Sequence, residues 1–228
     1  MTHPFKDYLI CRDNYFADPD SVIDLSKNLN FSKSTYFPGM RTENLLGSYN
    51  LIIKNFADHF ADRISYDVFP GISMYEFYLC FHINEPCVDD RFNKGWIHND
   101  YGNLAGLVYL TPGEEDINTG TSIFASENDV TDANELPTDT AALKDFYLNG
   151  EITEDYIAGF ENNRQTFESR ETIRVGNKFN RLVAYDSKMW HCPNSFSTKS
   201  NLPRLLLLFF ISQFNYSSMY VSKDQQIC

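Results

Sequence analysis

His98 and Asp100 stand two residues apart in the stretch Trp96-Ile97-His98-Asn99-Asp100-Tyr101-Gly102, and a further histidine lies downstream in Met189-Trp190-His191-Cys192-Pro193. In an extended strand, side chains at i and i+2 project to one face, so His98 and Asp100 point together while Asn99 turns away. An imidazole from a distant strand would complete two nitrogens and one carboxylate oxygen on one side of a metal. That set leaves positions open on a non-haem Fe(II) for substrates and oxygen. The histidines are 191 − 98 = 93 residues apart, enough chain for several strands and an insertion. A His-x-Asp pair alone also arises as a hydrogen-bonded surface pair, and a lone histidine in an aromatic strand commonly just packs. The third ligand candidate, a basic residue 204 − 191 = 13 positions later, and β-rich sequence throughout tip the balance toward a metal. Cys192 beside His191 invites a zinc site, but neighbouring strand residues face opposite ways, so Cys192 is expected to point away from the metal.

The elements that must carry these residues are legible as periodicities. Residues 8–16 read as a short strand or extended entry. Asp18-Pro19 starts a helix, with Asp as N-cap and Pro at the first helical position, and Val22, Leu25 and Leu29 follow at helical spacing. After the turn Phe37-Pro38-Gly39-Met40-Arg41, Thr42 is expected to cap a second helix. Its apolar stripe Leu45, Tyr49, Ile52, Phe56 and Phe60 should form core against a sheet and run to about Ser65. Strand sequence then covers Met74–Ile83, the His98 stretch, Leu104–Leu110 and Thr119–Phe124. Glu127–Asp139 is polar and acidic and reads as an exposed loop. Helical pieces are expected at about 140–148 and 154–170, with Tyr156, Phe160, Arg164 and Phe167 on one stripe. Strands return at Thr172–Gly176, Leu182–Tyr185 and around His191. The run Arg204-Leu-Leu-Leu-Leu-Phe-Phe-Ile is typical of a strand buried on both faces. This order predicts one domain over residues 1–228, mainly β with flanking helices: a sandwich or barrel core over about 71–216. Its N-terminal helical part covers about 1–70, and an insertion about 125–170.

Composition narrows the partners. The net charge of −12 and the absence of any basic stripe argue against a nucleic-acid partner. Five cysteines, an odd number without Cys-x-x-Cys spacing, indicate free thiols in a reducing compartment. The N-terminus lacks a signal-peptide pattern, and the longest apolar run, Leu205–Ile211, is far short of the roughly 20 residues of a membrane helix. A cytoplasmic protein without a membrane partner is expected.

The order His98-x-Asp100, His191 and then Arg204 on the last long strand resembles the Fe(II)- and 2-oxoglutarate-dependent dioxygenases, in their prolyl-4-hydroxylase-like branch. Gly106-Leu-Val-Tyr109-Leu110 is similar to that branch's strand after the first ligands, and Thr119-Gly120-Thr121-Ser122-Ile123-Phe124 to its Gly-Gly-x-x-x-Phe strand. The resemblance covers about residues 75–214. It implies a double-stranded β-helix, a distorted jelly roll. It also implies that His98, Asp100 and His191 ligate Fe(II), that Arg204 pairs with the distal carboxylate of 2-oxoglutarate, and that Tyr109 offers its hydroxyl to the same carboxylate. O2 is the further co-substrate, the reaction a C–H hydroxylation releasing succinate and CO2. Because Asp100 is present, oxygenation is implied and not the halogenation of members that lack this carboxylate. The chain departs from the pattern in a longer gap between His191 and Arg204, and in Leu206, where a small hydroxyl residue is usual. These departures bear on how the co-substrate is held.

The substrate stays open between an amino acid, another small molecule and a peptide. Arg41 is a candidate contact for an anionic substrate, although a surface position is the more expected one. Trp96 and Trp190 are expected in the core, and the insertion could be a lid or an inert excursion. Two other classes fit the same residues. A cupin-like metalloenzyme would use the three ligands without a keto acid, and a jelly-roll binding module would merely pack the histidines.

Overall fold

The strand β10 (Arg204–Tyr216) is apolar at consecutive positions because it lies in the middle of a sheet covered on both faces. The computed structural model of the protein describes residues 8–68, 72–87, 89–125, 140–197 and 202–216. In it β10 pairs antiparallel with β5 (Leu104–Tyr109) on one side and β4 (Ile72–Asn84) on the other. The sheet continues through β8 (Leu182–Asp186) to β1 (Leu9–Arg12) beyond β5, and through β3 (Met40–Arg41) to β2 (Ser32–Lys33) beyond β4. Alternation sorts the side chains of β10. Leu205, Leu207, Phe209 and Ile211 face a helical layer, while Leu206, Leu208 and Phe210 face the second sheet. Gly106 on β5 permits this packing, since a Cβ there would collide with the Phe209 ring and lie 2.7 Å from the Val183 carbonyl oxygen.

The helical layer is α1 (Pro19–Ser26) and α2 (Leu51–Val68). Asp18 caps α1 as expected, accepting from the Ser21 backbone N–H at 3.1 Å. The second helix differs from expectation. Thr42 does not cap it: its backbone N–H donates to the Phe81 carbonyl at 3.0 Å and its hydroxyl oxygen accepts from the Phe81 N–H at 3.0 Å, so it extends the sheet edge. Leu45–Gly47 forms one 3-10 turn, and the helix begins only after Asn50, whose side chain accepts from Ile52 N at 3.0 Å. The stripe therefore rotates. Ile53, Ala57, Phe60, Ile64 and Val68 are buried, whereas Tyr49, expected in the core, is fully exposed and Ile52 largely so. Phe60 is the centre of this layer, edge-on to Phe209 at 5.7 Å and near Phe77 at 6.2 Å between centroids. Burying such a ring contributes roughly 1.5–3 kcal/mol.

The second sheet has three strands, with β6 (Asp116–Phe124) between β7 (Glu171–Asn177) and β9 (Trp190–Pro193). Ile123 and Val175 meet Leu107, Tyr109 and Leu206 in one buried cluster, so the two sheets face each other. Gly120 is obligatory in β6, because a Cβ there would run into the Val175 carbonyl of β7. The insertion folds as α3 (Thr140–Asn149) and α4 (Glu154–Phe167), followed by a 3-10 turn at Glu168–Arg170. Tyr156, Phe160, Arg164 and Phe167 are all buried, as their spacing predicts, and Phe92, Trp96 and Phe146 pack with Tyr156 and Phe160. The acidic loop expected over Glu127–Asp139 lies outside the described residues. Among the described residues no helix is long and apolar enough to cross a membrane.

Candidate metal centre

The stretch carrying His98 is extended but joins the sheets through a single isolated bridge, not the full strand that its pattern suggests. At that bridge the two histidines are directly opposed: His98 N–H donates to the His191 carbonyl at 2.9 Å, and His191 N–H to the His98 carbonyl at 2.8 Å. Residues opposed in this way place their side chains on the same face. Gly95 N–H to Pro193 O (3.0 Å) and Asp100 N–H to Ser187 O (2.8 Å) fix the segment at either end. From the other side α4 holds it. The Asn163 carboxamide accepts from Ile97 N–H and donates to Ile97 O, both at 2.9 Å, and Arg164 donates to the Gly95 carbonyl. Sequence patterning missed Asn163, since a lone asparagine on an apolar helix stripe carries no signal of a backbone partner 163 − 97 = 66 residues away.

These supports bring His98, Asp100 and His191 together, with one candidate ligand atom from each lying within 4.8 Å of the others. Asp100 Oδ2 is 3.3 Å from His191 Nε2, and Oδ1 is 3.8 Å from His98 Nε2. Each imidazole is oriented by the same device: its Nδ1–H donates to the carbonyl two residues earlier, His98 to Trp96 O and His191 to Met189 O, both at 2.9 Å. With Nδ1 tied to these carbonyls, both Nε2 atoms face the shared space, the position from which each ring would ligate a metal. Electrostatics agree. Burial and the neighbouring His191 lower the His98 pKa. Although its side chain keeps 43% accessibility, that ring opens onto a cavity walled by protein. Burial alone would raise the Asp100 carboxyl, but the hydrogen bond and charge of His191, with His98 and Arg41, outweigh it and bring the pKa to about 2. The group thus presents two imidazole Nε2 atoms and a carboxylate to one space. Donors at such separations suit one ion, since ligands about 2.1 Å from a metal at right angles are about 3 Å apart.

The three residues line a cavity of about 610 Å³ between the sheets, within the usual range of small-molecule sites. Arg204 lies in it, 1% exposed. One guanidinium nitrogen donates to Ser195 O at 3.0 Å and another reaches Gly120 O at only 3.5 Å, while Nε is buried without a partner. No carboxylate among the described residues pairs with it. Tyr109 lies under the guanidinium at 5.2 Å, but its hydroxyl is bonded to Thr121 at 2.8 Å; Thr121, not Tyr109, forms the cavity wall. Leu206 is also in the wall. Arg41, on β3, faces the same cavity and not the surface. Trp190 is core as expected, and Trp96 is both core and wall. Cys192 is fully buried among Ile97, Phe124, Phe167 and Trp190, turned from the ligand group. From the insertion, α3 contributes Leu143, Lys144 and Tyr147 to the cavity, and α4 contributes Asn163.

Solved structures share this architecture. HygX from Streptomyces hygroscopicus, with nickel and 2-oxoglutarate bound, superposes with a TM-score of 0.56 at 12% identity, over 89% of this chain and 82% of that one. The epimerase SnoN in complex with Fe3+, alpha-ketoglutarate and nogalamycin RO gives 0.53 at 11%, covering 92% and 81%. A Pseudomonas putida prolyl-4-hydroxylase gives 0.50 at 14%, covering 91% and 93%. At such identities the likeness is one of fold, shared with a prolyl-4-hydroxylase and with proteins solved with a metal and 2-oxoglutarate bound. Residues 4–203 match the family of unknown function DUF6445, and the chain belongs to that family. No curated protein sequence matches it significantly.

Proposed function

We propose that the protein is an Fe(II)- and 2-oxoglutarate-dependent oxygenase built on a double-stranded β-helix, hydroxylating a C–H bond of a small molecule or peptide. His98, Asp100 and His191 would hold the metal, and Arg204 the distal carboxylate of 2-oxoglutarate. The observation that carries the reading is Arg204: a cation buried to 1% exposure, without an acidic partner among the described residues, in the same cavity as the ligand group. A buried charge needs a counter-charge, and a planar guanidinium edge suits a carboxylate. A cavity serving only the metal would have no use for that cation.

When bound, Fe(II), 2-oxoglutarate and O2 together supply the oxidant, with succinate and CO2 released. The chain does the rest. The carbonyls of Trp96 and Met189 hold the imidazoles in the ligating orientation, and Asp100 stays ionised across the neutral range. The reciprocal His98–His191 backbone pair sets their separation before any ion arrives. Leu107, Leu206, Leu208 and Phe210 give the cavity apolar walls that keep bulk water from the reacting centre.

The test is an anaerobic titration of metal-free protein with Fe(II) and 2-oxoglutarate, following the weak visible band of a chelated keto acid. A band abolished by His191→Ala and weakened by Arg204→Ala is expected. Stoichiometric iron without a band would shift the reading to a cupin-like metalloenzyme, and no bound metal would overturn it in favour of a binding module.

A further inference from the structure

Arg41 is the second guanidinium of the cavity, and the oxygenase reading leaves it without a task. It stands opposite His82 on β4, which in turn stands opposite Leu206 on β10. Arg41 therefore lies on the cavity face of the sheet, two strands from Arg204. Its guanidinium carbon is 3.9 Å from the centroid of the Phe37 ring and 5.7 Å from that of Phe210. Its Nε is buried without a hydrogen-bond partner, and no carboxylate among the described residues pairs with the group. Arg41 lines the same cavity as His98, Asp100 and His191, so a group bound to it shares that space with the ligand group.

We propose that the primary substrate carries a carboxylate and that Arg41 is the residue that binds it. This inference rests on the oxygenase reading for the word substrate, but the ligand chemistry rests on Arg41 alone. Charge is the first argument. A divalent ion, ionised Asp100, a dianionic keto acid and Arg204 sum to neutrality, which leaves Arg41 as an uncompensated cation in a low-dielectric space. An anionic substrate removes that penalty. Shape is the second argument. The Phe37 ring packs against the guanidinium with Phe210 nearby, and a planar carboxylate can accept two parallel N–H donors from the edge that remains. The third is enclosure: Lys144 and Tyr147 of α3 line the same cavity, and Lys33 Nζ ties the end of that helix to β2 through Leu148 O at 2.9 Å. A free acid, such as an amino acid or another small carboxylate, suits this cavity better than a mid-chain peptide segment, whose backbone has no carboxylate to offer.

The experiment follows the arginine Nε–H resonances of the protein by NMR, with Zn(II) as a redox-silent metal and 2-oxoglutarate present. The probes are free amino acids and simple aliphatic and aromatic monocarboxylates, each beside its primary carboxamide and a phosphate monoester of similar size. At least one acid should shift the Arg41 resonance saturably without displacing 2-oxoglutarate, while its carboxamide and the phosphate ester do not. Arg41→Gln should weaken that acid by about thirty-fold, the loss of one charge-assisted hydrogen bond. Arg41→Lys should recover part of the affinity, which guards against a simple folding defect. An acid that moves only Arg204, a carboxamide or phosphate ester that binds as well, or no response of Arg41 to any acid overturns the proposal. The two readings fail separately: if Arg204 ignores 2-oxoglutarate while Arg41 answers an acid, the oxygenase reading falls and the carboxylate site stands.

Discussion

Replacing Arg204 with methionine should have two effects of opposite sign. Methionine approximates the length of the arginine stem and brings no charge. In the metal-free protein Arg204 is a buried cation with one good hydrogen bond, to Ser195 O, and an unpartnered Nε. Replacing buried charges by apolar side chains of similar volume is typically neutral or stabilising by about 1–4 kcal/mol. The Ser195 carbonyl loses its donor, which offsets about 1 kcal/mol. The net runs from about 1 kcal/mol against the variant to about 3 kcal/mol in its favour, and for a chain of this size about 2–4 °C accompanies each kcal/mol. The metal-free variant should therefore melt between about 4 °C lower and roughly 10 °C higher. Removing one partner of a buried charged pair costs about 2–5 kcal/mol of binding, so 2-oxoglutarate affinity should fall from about thirty-fold to a few thousand-fold. Thermal melts of metal-free protein and calorimetric titration of 2-oxoglutarate into the Zn(II)-loaded form measure both sides. A variant that melts more than about 5 °C lower and binds 2-oxoglutarate unchanged would falsify the argument, since Arg204 would then be a clamp on Ser195 and Gly120.

Other outcomes follow from the same geometry. Asp100→Ala should lose bound Fe(II) in metal analysis while Cys192→Ala keeps full stoichiometry, and the reverse pattern would restore the zinc-thiolate idea. Asn163→Ala strips both backbone partners from Ile97 and should loosen the His98 segment, lowering metal affinity about 10–100-fold in a chelator competition; unchanged affinity would mean the bridge to His191 suffices alone. His82, 5% exposed and donating through Nε2 to Pro38 O at 2.7 Å, has its pKa pushed well below 6.5 by burial and then by Arg41. Its folded pKa is depressed, so its contribution is intact above about pH 6.5 and is lost as pH falls, by about 1.4 kcal/mol per pH unit. Melting temperature should drop below pH 6.5, and His82→Phe should flatten the slope; equal slopes would refute the assignment.

Much of the site was legible because its chemistry is written in types and spacing. His98 and Asp100 are two residues apart, which suffices in an extended segment even though no full strand forms there. The four leucines after Arg204 announce a buried strand, and burial of the arginine at its start follows. Tyr49 misled because periodicity gives the pitch of a helix and not its first residue. Asn50 supplies the start signal, and a start there turns the stripe by enough to expose Tyr49. Arg41 looked like a turn residue, and only the pairing of β3 onto β4 turns it inward. Asn163 and Thr121 act through partners remote in sequence, so nothing local marks them.

The alternation along β4, β5, β8 and β10 has a consequence for how this family can change. Odd positions of β10 such as Leu207 and Phe209 hold α2, while even positions such as Leu206, Leu208 and Phe210 line the cavity. The core and the cavity lining are thus encoded in interleaved letters of one strand that face different neighbours. Substitutions at the even letters can reshape the chamber around a new substrate while the hydrophobic layer beneath stays the same. A one-residue insertion in β10 would do the opposite, exchanging the two alphabets and exporting the cavity lining to the helix side. Relatives that differ in substrate should therefore vary at alternate positions of these strands and keep their lengths fixed.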